Sequence, residues 1–201
     1  MRSLLLSLIA AVSFSAAAQA ALTIGKPAPD FTATDAAGKE VKLSALKDKI
    51  VVLEWHNPGC PFVEKFYSGG DMQKLQADMK AAGAVWITVN SGAEGKQGHL
   101  KAAEAVKYLA DQKSNADHYL IDDSGNIGKL YDATTTPHMF VIDAKGLLAY
   151  KGAIDDKPTA KSSDIAGAKN YVREAVLALK EGKPVAVSST DPYGCSVKYK
   201  D

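Results

Sequence analysis

Ile50-Val51-Val52-Leu53-Glu54-Trp55-His56-Asn57-Pro58-Gly59-Cys60-Pro61 passes from a mostly apolar run, through a loop signal, to a cysteine followed by proline. A short apolar run of this kind is what a strand buried on both faces requires. His56 to Gly59 ends it, because proline and glycine punctuate regular structure. A helix is expected to open near Cys60, with Pro61 tolerated in its first turn. Gly69-Gly70 interrupts that helix. Asp71 is placed to cap a second piece, in which Met72, Leu75 and Met79 share an apolar face, and Gly83 stops it.

Working outward, Ala84 to Asn90 reads as the next buried strand. Leu100, Ala103, Val106, Leu109 and Ala110 mark an amphipathic helix. His118 to Ile121 is a short strand closed by the turn Asp122-Asp123-Ser124-Gly125. Pro137 precedes a strand from His138 to Asp143, and Ala144-Lys145-Gly146 turns it into Leu147 to Gly152. Tyr171 to Glu181 is a last amphipathic helix with Val172, Ala175, Val176 and Leu179 inward; Gly182 ends it. Upstream of the central strand lies a turn-rich entry, Gly25 to Asp30. Phe31 to Thr34 and Val41 to Leu43 then alternate apolar and polar across Ala37-Gly38, as a hairpin does. The sum is an α/β fold: a central mixed sheet flanked by helices, with an N-terminal β-hairpin extension.

The whole chain has 201 residues, is 46% hydrophobic and 23% charged, and carries a formal net charge of +1. That composition excludes wholesale disorder and suits one domain with extensions. The balanced charge gives no ground for nucleic acid or an anionic membrane surface as partner. The first residues carry Arg2, an apolar core from Leu4 to Val12, and the cleavage pattern Ala18-Gln19-Ala20. Residues 1–20 therefore read as a signal peptide cut after Ala20. The expected product is periplasmic or secreted, without stable membrane insertion. Residues 21–182 form the domain. Residues 183–201 form a tail with no clear period that carries Cys195. Export places both cysteines in an oxidising compartment.

Cys60 follows a buried strand and opens a helix, where unpaired N–H groups and the helix dipole favour a thiolate. This is the placement of a nucleophile; a half-buried partner in a structural disulfide is the other reading. Thr136-Pro137, directly before a buried strand, suggests a fixed X-Pro bond. Glu54 is either a buried proton shuttle for Cys60 or a strand-end residue facing solvent. A copper-like set of His56, Cys60, His138 and Met139 is a further alternative. His99 and His118 read as surface or turn residues. Asp122 to Asn126 lacks the spacing and closing glutamate of a calcium loop and reads as a solvated turn.

Gly25-x-x-Ala28-Pro29-Asp30-Phe31, Asp35-x-x-Gly38-Lys39 and Leu43 resemble the N-terminal hairpin of peroxiredoxins and periplasmic thioredoxin-like reductases. The strand ending at Trp55, Cys60-Pro61 at a helix start, and Thr136-Pro137 before Phe140-Val141-Ile142-Asp143 extend the resemblance to a thioredoxin-like fold over Gly25 to Glu181. Asn57-Pro58-Gly59-Cys60-Pro61-Phe62-Val63 and Gly194-Cys195-Ser196-Val197-Lys198-Tyr199 are most similar to the peroxiredoxin-like branch, the redoxins of the alkyl hydroperoxide reductase–thiol-specific antioxidant type.

The resemblance implies thiol redox chemistry. Cys60 would attack a disulfide of a thiol/disulfide protein partner, or a peroxide, with an electron donor the sequence does not name. Thr136, Pro137, Asn57 and Pro61 would shape the substrate groove. No organic cofactor is implied, since no phosphate-cradling glycine motif is present. Two departures stand out. Val63 occupies the position of the second cysteine in Cys-x-x-Cys. Against the peroxidatic pattern Pro-x-x-x-Thr/Ser-x-x-Cys the chain has Leu53 and Asn57, and the only arginine beyond Arg2 is Arg173, on the expected solvated face of the last helix. Cys195 is the candidate to replace the missing thiol. Paired with Cys60, it is either a resolving partner or a staple worth about 4–5 kcal/mol in the chain-entropy model.

Overall fold

The structure is a computed structural model that describes residues 22–200; the signal-peptide reading of residues 1–20 lies outside them. In chain order the elements are β1 (Thr32–Thr34), β2 (Glu40–Lys42), β3 (Val51–Trp55), α1 (Pro61–Tyr67), α2 (Asp71–Ala81), β4 (Val85–Asn90), α3 (Ala102–Asp111), β5 (His118–Ile121), α4 (Asn126–Leu130), β6 (Thr135–Thr136), β7 (His138–Ile142), β8 (Leu148–Gly152), α5 (Tyr171–Lys180) and β9 (Cys195–Ser196). Single 3-10 turns at Leu43–Leu46 and Ser162–Ile165 link them.

The central sheet has the order β5-β4-β3-β7-β8. β3, β4 and β5 run parallel, while β7 is antiparallel to β3 and β8 to β7. All five residues of β3 are buried, as the apolar run predicts for a strand paired on both edges. The two-residue period of its strands sorts side chains into two cores. Val52, Trp86, Met139, Val141 and Tyr150 face α1, α2 and α5, together with Cys60 and Val176. Val51, Leu53, Trp55, Ile87, Phe140 and Ile142 face the hairpin β1–β2 and α4, against Phe31, Val41 and Tyr131. Among the described residues no helix is long and apolar enough to cross a membrane.

Several expectations change. Gly70, not Asp71, stands at the N-cap of α2 with φ 85°, and no side chain caps that end. In α3 the inward residue is Ala105; Ala103 and Ala110 are exposed and Val106 is 46% exposed. Only Leu100 and Leu109 of the expected stripe pack, half-buried, against Ala105 and Tyr119. Leu179 is likewise half-buried. The turn at Asp122 continues into α4, because Asp122 accepts the N–H groups of Ile127 and Gly128. His118 is largely buried and its Nδ1 lies 2.8 Å from Asp35 Oδ2, tying the hairpin to β5; His99 pairs with Asp123 at 3.0 Å. The tail forms β9 and pairs with β6, so it is ordered structure against the domain.

The Phe140 ring lies 5.1 Å from Trp55 and 5.4 Å from Tyr131, both edge-on, and is fully buried. Phe140→Ala is expected to destabilise the fold by about 3–5 kcal/mol. Denaturant unfolding of the two proteins checks it.

Candidate active site

Cys60 is the residue before α1, and its backbone N–H bonds the Asn57 carbonyl at 3.0 Å. That tight turn is set by Asn57, whose Oδ1 accepts the Gly59 N–H at 2.8 Å. Asn57 Nδ2 in turn donates to the backbone carbonyl and side-chain oxygen of Gln97, each at 3.1 Å. Asn57 is 3% exposed, and its side chain braces the loop from beneath. Pro61 is exposed.

The Cys60 sulfur is buried and donates to the Thr136 carbonyl at 3.1 Å. Thr136-Pro137 is a cis peptide, and both residues are buried. The Thr136 main chain pairs on its other side with Cys195, through the β6–β9 ladder. This pairing sets Cys195 beside Cys60, close enough for each thiol to shift the acidity of the other. Both are free thiols. Burial alone would push the Cys60 thiol up. The Cys195 thiol, the adjoining Thr136 hydroxyl and the N–H groups of Val63 and Cys195 outweigh it and hold Cys60 below the ordinary thiol range. Cys195 moves the other way, to about 11, through burial and then the bond to and charge of Cys60. The Thr136 hydroxyl has no geometric hydrogen-bond partner among the described residues; its influence on Cys60 is through proximity.

Glu54 does not face solvent. It sits on the face of β3 shared with Val52, fully buried. It accepts from Trp86 Nε1 at 2.8 Å, Tyr67 Oη at 2.9 Å and Thr88 Oγ1 at 3.2 Å. Burial raises its pKa to about 7, these donors pulling against it.

The copper-like set is not assembled. Met139 faces the Cys60 core while His138, next on β7, faces the opposite one, its ring tilted 33° against Phe140 at 4.4 Å. Both ring nitrogens of His56 are taken, by Tyr119 and Tyr108 at 3.1 Å each. Burial holds His56 and His138 down to about 3, as neutral rings. Among the described residues no group of three or more His, Cys, Asp or Glu could hold a metal ion. Arg173 pairs with Asp78 at 2.9 Å and joins α5 to α2.

Sequence reasoning missed three residues beside the site. Lys65 and Asp155 form a buried ion pair at 3.3 Å, and Tyr193 bonds both. A lysine within an otherwise apolar helix face (Val63, Phe66 and Tyr67 are buried with it) is the one local signal that was available.

Two outcomes follow. Gly194 has φ +142°, and a methyl there would collide with the Thr136 carbonyl. Gly194→Ala is therefore expected to lift β9 and speed iodoacetamide labelling of Cys60. Folded Glu54 keeps its proton to about pH 7, whereas the unfolded chain releases it near 4.5. The folded state thus binds more protons in that window, and stability falls as pH rises through it. Glu54→Gln removes this dependence. Relative to that variant, the wild type is expected to lose about 3 kcal/mol between about pH 4 and pH 8, read by urea unfolding.

The AhpC/TSA family profile matches residues 24–151. Peroxiredoxin-2 of Cricetulus griseus is 33% identical over 158 residues, covering 70% of this chain and 74% of its own. Thiol-disulfide oxidoreductase ResA of Bacillus thuringiensis subsp. konkukian is 30% identical over 125 residues, covering 62% and 66%. In structure, an uncharacterized conserved protein from Geobacillus kaustophilus superposes with a TM-score of 0.76 at 26% identity, covering 90% of this chain and 94% of that one. The profile takes in Cys60, Thr136 and Pro137 and stops before Asp155, Tyr193 and Cys195. On the hairpin, the sheet order, the cysteine at the start of α1 and these matches together, the chain belongs to the AhpC/TSA family, within the peroxiredoxin-like branch of thioredoxin-like proteins.

Proposed function

We propose that the protein is an exported thiol-disulfide oxidoreductase, with Cys60 as nucleophile and Cys195 as resolving thiol. The observation that carries this reading is that Thr136 binds the Cys60 sulfur through its carbonyl and pairs with Cys195 in the β6–β9 ladder, so the two cysteines flank one residue; Cys60 is held down and Cys195 held up to about 11. The Cys60 thiolate attacks one sulfur of a substrate disulfide. The Cys60–substrate bond forms, the substrate S–S bond breaks, and the departing thiolate takes a proton from solvent. Cys60 then carries no charge. One cause of the high Cys195 value is removed, so Cys195 deprotonates more readily once it is needed. Its thiolate attacks the Cys60 sulfur and releases the second substrate thiolate. A Cys60–Cys195 disulfide remains, the substrate has gained two electrons, and a dithiol reductant restores the pair. The Cys195 proton passes to solvent, and Glu54 is assigned as the buried shuttle for the Cys60 proton.

Disulfide is favoured over peroxide as the substrate. Asn57 stands where the peroxidatic pattern has Thr or Ser, and its side chain is consumed in bracing the loop. Arg173 is engaged by Asp78. The ResA relative bears a thiol-disulfide oxidoreductase name, which supports the same choice. Export rests on the N-terminal signal pattern and accords with a disulfide substrate.

Reduction of insulin disulfides tests this. Cys60→Ser is expected to fall to the uncatalysed rate. Cys195→Ser is expected to accumulate a mixed disulfide on Cys60, visible by mass spectrometry. A Cys60–Cys195 potential between about −120 and −270 mV supports a catalytic pair; one below about −300 mV makes it a staple and ends the reading.

A further inference from the structure

Cys195 lies on a strap, residues 193–199, that pairs with β6 beside Cys60. One end is held by main-chain and hydroxyl contacts to the β6 loop. The Val197 N–H donates to the Thr134 carbonyl at 3.0 Å, and Tyr199 Oη donates to the Ala133 carbonyl at 2.7 Å. The other end is held by a buried charge cluster. Lys65 Nζ, with no exposed side-chain surface, lies 3.3 Å from Asp155, whose side chain is 1% exposed. It also donates to the Lys157 carbonyl at 2.8 Å and to Tyr193 Oη at 3.2 Å. Tyr193 Oη donates to the other Asp155 oxygen. The Tyr193 ring stands edge-on to Phe62 at 5.9 Å.

Taking a lysine and an aspartate out of water costs several kcal/mol per ion, repaid only if further hydrogen bonds complete the set. Tyr193 completes this one, accepting from the ammonium and donating to the carboxylate. Withdrawing the strap would leave both charges short of a partner, so docking of the strap and satisfaction of the pair are one event. The geometry gives that event a direct line to the site. Lys65 belongs to α1, the helix that Cys60 opens, and Tyr193 is two residues before Cys195. The Phe62 N–H also faces the Cys195 sulfur. The distance between the two sulfurs is thereby referred to one rigid helix.

We propose that Tyr193, held by the buried Lys65–Asp155 pair, is the positioning residue that docks the strap and sets Cys195 beside Cys60. This rests on the reading of the two thiols as a redox pair. Docking gives Cys195 a high effective concentration toward Cys60 and closes Cys60 to bulkier thiols; undocking does the reverse.

Glutathione buffers test it, through Cys60–S–S–Cys195 + 2 GSH ⇌ dithiol + GSSG, read by alkylation and mass spectrometry. Tyr193→Phe keeps the ring against Phe62 and removes only the hydroxyl. It is expected to lower the effective concentration of Cys195 by about tenfold or more. Lys65→Met with Asp155→Leu removes both charges together, avoiding a lone buried ion, and is expected to do the same. It stands in should Tyr193→Phe fail to fold. An unchanged equilibrium in a folded variant overturns the proposal. If the wild type forms no Cys60–Cys195 disulfide, the redox reading fails, and the latch is judged separately in Cys195→Ser protein. There, iodoacetamide labelling of Cys60 accelerated about tenfold by Tyr193→Phe sustains the latch; an unchanged rate sinks it.

Discussion

β3 is hydrogen-bonded on both edges and buried on both faces, and the rest of the molecule is arranged around that constraint. A central strand must alternate its side chains between two cores. Trp55 therefore goes to one core and Glu54 to the other, although a carboxylate has no business in an apolar layer unless donors meet it. Trp86, Tyr67, Thr88 and Gln76 supply them. The same alternation in β7 parts Met139 from His138, which separates two members of the copper-like set.

The end of β3 launches the loop that carries Cys60, and the loop's shape is kept by Asn57 and Gln97 rather than by a second cysteine. Local disulfide chemistry is closed off by Val63, so a partner thiol has to come from far along the chain. The β6–β9 ladder brings it. A pairing of only two residues on each strand is weak by itself. It is reinforced on one side by Tyr199 and on the other by Tyr193 with its buried ion pair. The result is a candidate site in which the buried Cys60, the half-buried Cys195 and the Thr136 carbonyl come together.

Much of this was legible before any coordinates. The period of Met72, Leu75 and Met79, the apolar run at Val51–Trp55 and the punctuation at Gly69-Gly70, Gly83 and Gly182 located the helices and strands to within a residue or two. Cys60-Pro61 and Thr136-Pro137 marked the candidate site by local chemistry. Legibility failed where a short element owes its existence to a distant neighbour. α4 exists because Asp122 gathers its N–H groups. The stripe through Val106 was misread because α3 packs through the small Ala105, and periodicity weighs large apolar residues more heavily than a buried alanine.

The sequence by itself determined the layer architecture and the place of the candidate cysteine at a helix start. Those depend on side-chain period and on residues adjacent in the chain. Only the tertiary structure decided whether Glu54 faced water or the core, whether Cys195 reached Cys60, and that Lys65, Asp155 and Tyr193 form one cluster. Each of these is a contact between residues far apart in sequence, or a choice of face. Such contacts are set by how the whole chain buries its polar groups with their partners, which no local pattern records.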